Sequence, residues 1–184
     1  METTVARIAL FAALIAALGL IPQIALPVAG GVPITAQTLG VMLAGLILGP
    51  WRGALAVLAF IAVVALGAPL LAGGRGGLGV FAGPTVGFLV GWPVAAVAIG
   101  LIYRALARLG PMAAGAVASV GGGIVVLYAF GAAGLALVAE MTFWNAVAVT
   151  AVFVPGDVLK AVVAAFLNRE VRRARPDLAG GDGA

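Results

Sequence analysis

Long apolar stretches dominate the chain, and short Gly- and Pro-rich or charged connections separate them. Apolar runs with few charges are typical of membrane-spanning helices, which need about 20 residues each. The predicted spans cover residues 5–21, 38–48, 53–66, 86–106, 112–138 and 154–168. Residues 140–153 fit either the start of the sixth span or a short interfacial helix. The pattern predicts an all-α integral membrane protein with six transmembrane helices in residues 1–168 and a polar cytoplasmic tail in residues 169–184, which we expect to be poorly ordered.

Composition supports the membrane assignment and excludes several kinds of chemistry. Of the 184 residues, 64% are hydrophobic and 9% are charged, against about 45–50% and about 25% in soluble domains. The chain has no Cys and no His, which excludes disulfides, Cys/His metal sites and imidazole bases, so we expect no metal and no cofactor. The net charge is +4, but the sequence lacks the basic stripe with interleaved aromatic residues that is typical of nucleic-acid binding. The lipid bilayer is the expected partner of these charges.

Positive charges are distributed unevenly over the predicted loops. With six spans and a cytoplasmic N-terminus, the outer loops hold only Arg75, and Lys160 lies within the last helix. The inner segments hold eight arginines: Arg7, Arg52, Arg104, Arg108, Arg169, Arg172, Arg173 and Arg175. This bias follows the positive-inside rule and predicts that both termini are cytoplasmic.

Two Gly/Pro-rich loops, residues 22–37 and 67–85, lie on the outer side in this topology. Such loops are expected to pack into the protein and to cap a substrate pocket. The polar residues that converge at this mouth are predicted to bind substrate: Thr35, Gln37, Arg75, Thr85, Asp157 and Lys160, with Thr38 beside them.

Asp157 and Lys160 are the most informative of these residues. They are three positions apart, and therefore share one face of an otherwise apolar helix. Charges inside a membrane are costly and mark a functional site by default. The alternative is an ion pair that only holds helices together. Glu140 and Asn145 are expected to be solvated at the outer interface.

Other motifs carry less information. The G-x-G-x-x-G match at residues 74–79 lacks the flanking strand and the acidic residue of a dinucleotide site, so we consider it accidental. The chain has no P-loop, and any ATP-driven work must come from a partner. Small residues recur every fourth position at Ala9, Ala13 and Ala17, where docking to a partner and internal packing are both possible. The row formed by Gly83, Gly87 and Gly91 favours internal packing.

Three ordered motifs resemble one known family. Residues 30–40 (GGVPITAQTLG) are similar to the first-loop signature of the BioY family. Residues 71–77 (LAGGRGG), with Gly83-Pro84-Thr85, resemble its second loop. Pro155-Gly156-Asp157 with Lys160 resembles the motif that opens its last helix. BioY proteins are the biotin-specific S components of energy-coupling factor (ECF) transporters.

The resemblance implies a six-helix fold in a bacterial or archaeal inner (cytoplasmic) membrane that captures biotin from the outside. It also implies association with a transmembrane T component and two ATPase subunits, with the alanine row of the first helix facing that module. A binding subunit of this kind is not an enzyme. Two alternatives stay open: an S component for another vitamin, and an intramembrane enzyme acting on a lipid, for which Asp157 is the only available catalytic group.

Overall fold

Helices form the regular structure of the described residues, which are 2–24 and 32–175 in this computed structural model. The α-helices are α1 (Glu2–Leu18), α2 (Gln37–Leu43), α3 (Pro50–Ala65), α4 (Val86–Ala105), α5 (Gly110–Val120), α6 (Leu127–Val138), α7 (Phe143–Ala151) and α8 (Val154–Ala174). The predicted all-α class is confirmed for these ranges. Gly30 and Gly31 of the first-loop motif and residues 176–184 of the predicted tail lie outside the described residues.

Two π-helical segments join or extend these helices. Ala44–Leu48 continues α2, and Gly121–Val126 connects α5 to α6, so that the chain is helical without a break from Gly110 to Val138. The second segment packs closely on α4, because a Cβ atom at Gly122 would lie 2.7 Å from the Ile99 nitrogen. The small side chains here allow two helix backbones to approach each other, as predicted for helices in lipid.

Three helical units match or approach the length of a membrane span. Val86–Ala105 and Ala107–Val138 are each long and apolar enough to cross a membrane, and α7 with α8 qualifies as a pair that is bent by 56°. Three further apolar helical stretches are shorter, with 10–17 residues each: Thr3–Leu18, Gln37–Leu48 and Pro50–Ala65. Within the described ranges, length and composition therefore support two membrane-spanning helices, or three if the bent pair is one span. The six-span arrangement stays a prediction.

The C-terminal region departs from the sequence-based boundaries. Residues 140–153 contain the separate short helix α7, whose first turn is capped by the Thr142 hydroxyl accepting from the Asn145 backbone nitrogen at 3.3 Å. The last helix begins at Val154 as predicted, with Pro155 in its first turn. Its predicted end near Asn168 is wrong, because α8 continues to Ala174. Arg173 pairs with Glu170 at 3.3 Å along this extension.

Contacts between glycines set the distance between α4 and α6. A Cβ atom at Gly134 would lie 2.6 Å from the Gly87 Cα atom, and one at Gly91 would lie 2.8 Å from the Phe130 Cβ atom. Gly87 and Gly91 therefore serve internal packing, as predicted. Gly83 does not extend this row, because it precedes α4 and lies in the loop. The close approach fixes α4 as one wall of the cavity described below.

Candidate functional site

A cavity of about 580 Å³, including its open mouth, lies where α2, α4 and α8 begin. We call this end of the bundle the pocket end. The first loop, the second loop and the starts of the three helices all contribute to the wall. The lining residues are Val32, Pro33, Ile34, Thr35, Gln37, Thr38, Leu71, Arg75, Thr85, Phe88, Leu89, Trp92, Leu127, Phe153, Asp157 and Lys160. All six residues that were predicted to bind substrate line this cavity.

Asp157 and Lys160 form the centre of a hydrogen-bonded network. The Lys160 Nζ atom lies 2.7 Å from Asp157 Oδ1, and it also donates to the Thr35 carbonyl at 2.6 Å and to Thr38 Oγ1 at 3.0 Å. Thr38 in turn donates to Asp157 Oδ1 at 3.2 Å. Only 4% of the Asp157 surface is exposed. The three N–H donors of the lysine are thus all committed to partners within the protein.

Tyr128 completes this network and was not predicted from the sequence. Its hydroxyl donates to Asp157 Oδ2 at 2.7 Å from α6. Its ring also forms edge-to-face contacts with Phe88 and Phe153, at centroid distances of 6.3 and 6.4 Å. Tyr128 is one of two tyrosines in the chain and interrupts an apolar span. A polar hydroxyl in the middle of a span is the signal that was available in the sequence.

Gln37 lines the cavity, but its amide group serves the architecture. Its nitrogen donates to the carbonyls of Ile15 and Leu70 at 3.2 and 3.1 Å, and its oxygen accepts from the Ala72 nitrogen at 3.0 Å. The side chain is 1% exposed. These bonds tie the start of α2 to the end of α1 and to the second loop, so Gln37 shapes the pocket by holding three segments together.

Arg75 and Thr85 occupy the second-loop side of the cavity. The Arg75 Nε atom donates to the Ala72 carbonyl at 3.3 Å, which leaves the two terminal guanidinium nitrogens without a hydrogen bond among the described residues. Thr85 is buried, and its Oγ1 atom has no hydrogen-bond partner among the described residues. The same holds for Nε1 of Trp92, two turns further along α4. Sequence reasoning missed Trp92, because a tryptophan in an apolar helix resembles any other core residue.

A second polar group of residues lies towards the other end of α8 and was not predicted. Asn168 is fully buried and donates to the Tyr103 hydroxyl at 3.0 Å, while its oxygen accepts from Arg172 Nε at 3.1 Å. Arg172 also donates to the Leu46 carbonyl at 3.1 Å, and its guanidinium lies 4.8 Å from the centre of the Tyr103 ring. We call these residues the Asn168 cluster. None of its members lines the cavity.

The remaining predicted residues lie outside the cavity. Ala9, Ala13 and Ala17 are exposed on one face of α1, whereas Ala12 and Ala16 pack against the core. Glu140 and Asn145 are exposed, and their solvation at the outer interface stays a prediction. No group of three or more His, Cys, Asp or Glu side chains that could hold a metal ion occurs in the described ranges.

Comparison with known proteins agrees with this architecture. The chain is 51% identical over 185 residues to the biotin transporter BioY of Rhodobacter capsulatus, covering 96% of both chains. It is 53% identical over 175 residues to the biotin transporter BioY of Rhizobium etli, covering 91% of this chain and 92% of that one. A crystal structure of the S-component for biotin from an ECF-type ABC transporter superposes with a TM-score of 0.85 at 30% identity, covering 94% of this chain and 92% of that one.

The model of the BioY family matches residues 2–177, which include the pocket end and every residue of the network around Asp157. The two relatives match over more than nine-tenths of their length, and the family model covers nearly the whole chain. The chain belongs to the BioY family.

Proposed function

We propose that this chain is the biotin-binding S component of an ECF vitamin-uptake transporter and that it has no catalytic activity of its own. The observation that carries the proposal is the cavity at the pocket end, in a chain whose relatives are named biotin transporters. The enzyme alternative loses its support, because the relatives that match this chain over nearly its whole length are named biotin transporters.

The pocket offers the groups that biotin requires. Its aromatic and aliphatic walls, among them Phe88, Leu89 and Phe153, suit the apolar thiophane ring and valeryl chain. The Asp157 carboxylate, with three hydrogen bonds, has room for about one more donor, such as a ureido N–H. A hydrogen bond to an ionised acceptor is stronger than one between neutral groups.

The ligand carboxylate has a separate partner in this arrangement. Lys160 has no uncommitted donor, since Thr35, Thr38 and Asp157 take all three. The terminal nitrogens of Arg75 are available, and a guanidinium pairs with a carboxylate in a fixed geometry. We therefore place the ureido ring at Asp157 and the valeryl carboxylate at Arg75.

Equilibrium binding of radiolabelled biotin to the purified protein in lipid nanodiscs tests the proposal. We expect saturable binding of one biotin per chain that unlabelled biotin displaces and that thiamine and riboflavin do not. Displacement by another vitamin and not by biotin would favour the alternative S-component function. Absence of any biotin binding by the folded protein would contradict the proposal.

We also propose that the six apolar helical units cross the inner membrane with both termini in the cytoplasm and with the pocket end outside. The distribution of eight arginines inside against one outside supports this orientation. The chain has no native Cys, so single cysteines at the exposed positions Leu78 and Leu109 report cleanly on topology. An impermeant maleimide added to intact cells should label Leu78→Cys and spare Leu109→Cys. The reverse result would invert the proposed orientation.

The exposed row Ala9, Ala13 and Ala17 is proposed to contact the transmembrane T component, which works with two ATPase subunits. Small side chains let a partner helix approach the α1 backbone closely. Ala13→Trp should leave biotin binding by the isolated subunit intact and abolish both co-purification with the coupling module and ATP-driven uptake. Ala139→Trp, an exposed position just after α6, provides the matched control. Normal assembly of Ala13→Trp would show that this row is not the docking face.

A further inference from the structure

A tryptophan in the cavity wall has an indole N–H without a hydrogen-bond partner among the described residues. Trp92 is 5% exposed, lines the cavity, and its Nε1 atom forms no hydrogen bond with any described residue. Tryptophan N–H groups usually find a partner when they are buried, because burial without one carries a desolvation cost. An unpartnered donor in the wall of a binding cavity indicates an acceptor on the molecule that fills it.

The packing of α4 on α6 places Trp92 at about the depth of Tyr128, which is a partner of Asp157. Trp92 lies seven residues after Thr85, which corresponds to about 10 Å along a helix. At this depth a Cβ atom at the neighbouring Gly91 would lie 3.0 Å from Leu127 Cδ1. Leu127 immediately precedes Tyr128, whose hydroxyl contacts Asp157. Trp92, Leu127 and Asp157 all line this cavity, so the indole and the carboxylate belong to one cavity wall.

The other side-chain donors in this part of the cavity are already occupied. Lys160 uses its three N–H groups, and the Thr38 and Tyr128 hydroxyls both donate to Asp157. The remaining lining residues at this depth, among them Phe88, Leu89 and Leu127, carry no side-chain donor. Thr85 Oγ1 and the terminal nitrogens of Arg75 are also unpaired among the described residues, but they lie on the second-loop side of the cavity. At the depth of Tyr128, Trp92 is thus the described side chain with a donor left for a ligand acceptor.

We propose that Trp92 Nε1 donates a hydrogen bond to the ureido carbonyl oxygen of biotin and makes the pocket selective for that oxygen. The inference rests on the proposed function, in which Asp157 accepts from a ureido N–H. A ureido group has two N–H donors and one strong carbonyl acceptor, so a carboxylate and an indole N–H on the same part of the wall complement it. The ring sulfur is a weaker acceptor, and the valeryl carboxylate is directed towards Arg75.

Ligand analogues that change one acceptor at a time test this contact. Binding of biotin, 2-thiobiotin and desthiobiotin to the wild type and to Trp92→Phe is measured by calorimetry in nanodiscs. In 2-thiobiotin a poorly accepting sulfur replaces the ureido oxygen, whereas desthiobiotin keeps the oxygen and lacks the ring sulfur. We expect Trp92→Phe to weaken biotin and desthiobiotin about tenfold and 2-thiobiotin by less than about threefold. The preference for biotin over 2-thiobiotin should shrink accordingly.

The possible outcomes separate the inference from the proposed function. Failure of the wild type to bind biotin would contradict the proposed function. If the wild type binds and Trp92→Phe weakens all three ligands equally, Trp92 has a packing role and the inference is wrong. It is also wrong if the loss disappears for desthiobiotin, since the acceptor is then the ring sulfur, or if biotin binding is unchanged. Trp51→Phe, at an exposed position outside the cavity, is the matched control and should change none of the three affinities.

Discussion

Helix α8 carries two buried polar groups of residues that differ in one respect. Near its start, Asp157 and Lys160 bind Thr38 and Tyr128 at the edge of a cavity. Near its end, the Asn168 cluster joins α8 to α4 and to the π-helical continuation of α2 with similar hydrogen-bond lengths. Burial and hydrogen bonding alone therefore do not distinguish a binding site from a structural contact.

Unused hydrogen-bonding capacity in a cavity wall makes the difference between these two groups. Buried polar atoms without a partner among the described residues also occur away from this cavity, at Gln23 Oε1 and Ser119 Oγ, where no cavity wall adjoins the Asp157 network. Around the cavity, Thr85 and Trp92 have buried polar atoms, and Arg75 has terminal nitrogens, that form no hydrogen bond with any described residue. In the Asn168 cluster, no buried side-chain atom lacks a partner within the described ranges. A saturated cluster stabilises the protein, whereas a cavity with unpaired donors has something left to offer a ligand.

The Asn168 cluster has a clear structural explanation. The last four carbonyls of a helix have no partner within that helix, and Leu46 lies in the last turn of the segment that ends at Leu48. The Arg172 guanidinium donates to the Leu46 carbonyl and brings a positive charge to the negative end of the helix dipole. The start of α8 therefore contacts the start of α2, and the end of α8 contacts the end of the π-helical continuation of α2.

Removal of the Asp157 charge should have the largest effect on binding. Asp157→Asn preserves the shape of the side chain but replaces one carboxylate oxygen with a donor, and it weakens the acceptor for the ureido N–H. We expect biotin to bind about ten- to a hundredfold more weakly, because a hydrogen bond to a charged group contributes about 1.5–3 kcal/mol. Calorimetry on folded protein measures this change. Unchanged affinity would remove Asp157 from the binding site.

The Asp157 region was accessible from the sequence because its main signal is local. Two charges three residues apart on an apolar helix are visible without any fold, and so is Pro155 at the helix start. The partners of these charges were not accessible, since Tyr128 and Thr38 lie 29 and 119 positions from Asp157. Gln37 was predicted to bind the ligand, whereas its amide nitrogen binds two backbone carbonyls. The sequence could not show this, because these contacts exist only in the folded chain.

The end of α8 shows the limit of hydropathy as a guide. The apolar pattern stops near Asn168, and the helix was expected to stop with it. Arginine and glutamate are nevertheless good helix formers, and Arg172 gains its contact with Leu46 only if the helix continues. Local propensity and a distant carbonyl together extend the helix beyond the apolar segment.

Neutralisation of Arg75 should have a smaller effect, limited to one end of the ligand. Arg75→Gln removes the charge that we assign to the valeryl carboxylate, and it should weaken biotin about three- to tenfold, because this partly exposed pair is screened by solvent. Biotin methyl ester, which lacks the carboxylate charge, should bind the variant and the wild type equally. Arg75→Lys should retain part of the preference for the acid. An equal loss for the acid and the ester would contradict the proposed ligand orientation.

Disruption of the Asn168 cluster should have the smallest effect on binding and a clear effect on stability. Asn168→Leu keeps a side chain of similar size and removes the bonds to Tyr103 and Arg172. The buried hydroxyl of Tyr103 and the guanidinium of Arg172 lose a partner, which we expect to cost about 1–3 kcal/mol of folding free energy. A fluorescence thermal melt in nanodiscs should show a midpoint several degrees lower, while the Kd for biotin stays within about twofold of the wild type. Ala174→Leu, an exposed substitution at the end of the same helix, should change neither quantity. If Asn168→Leu weakened biotin binding as strongly as Asp157→Asn, the two ends of α8 would be energetically coupled, and unused hydrogen-bonding capacity would no longer separate the binding site from the structural contact.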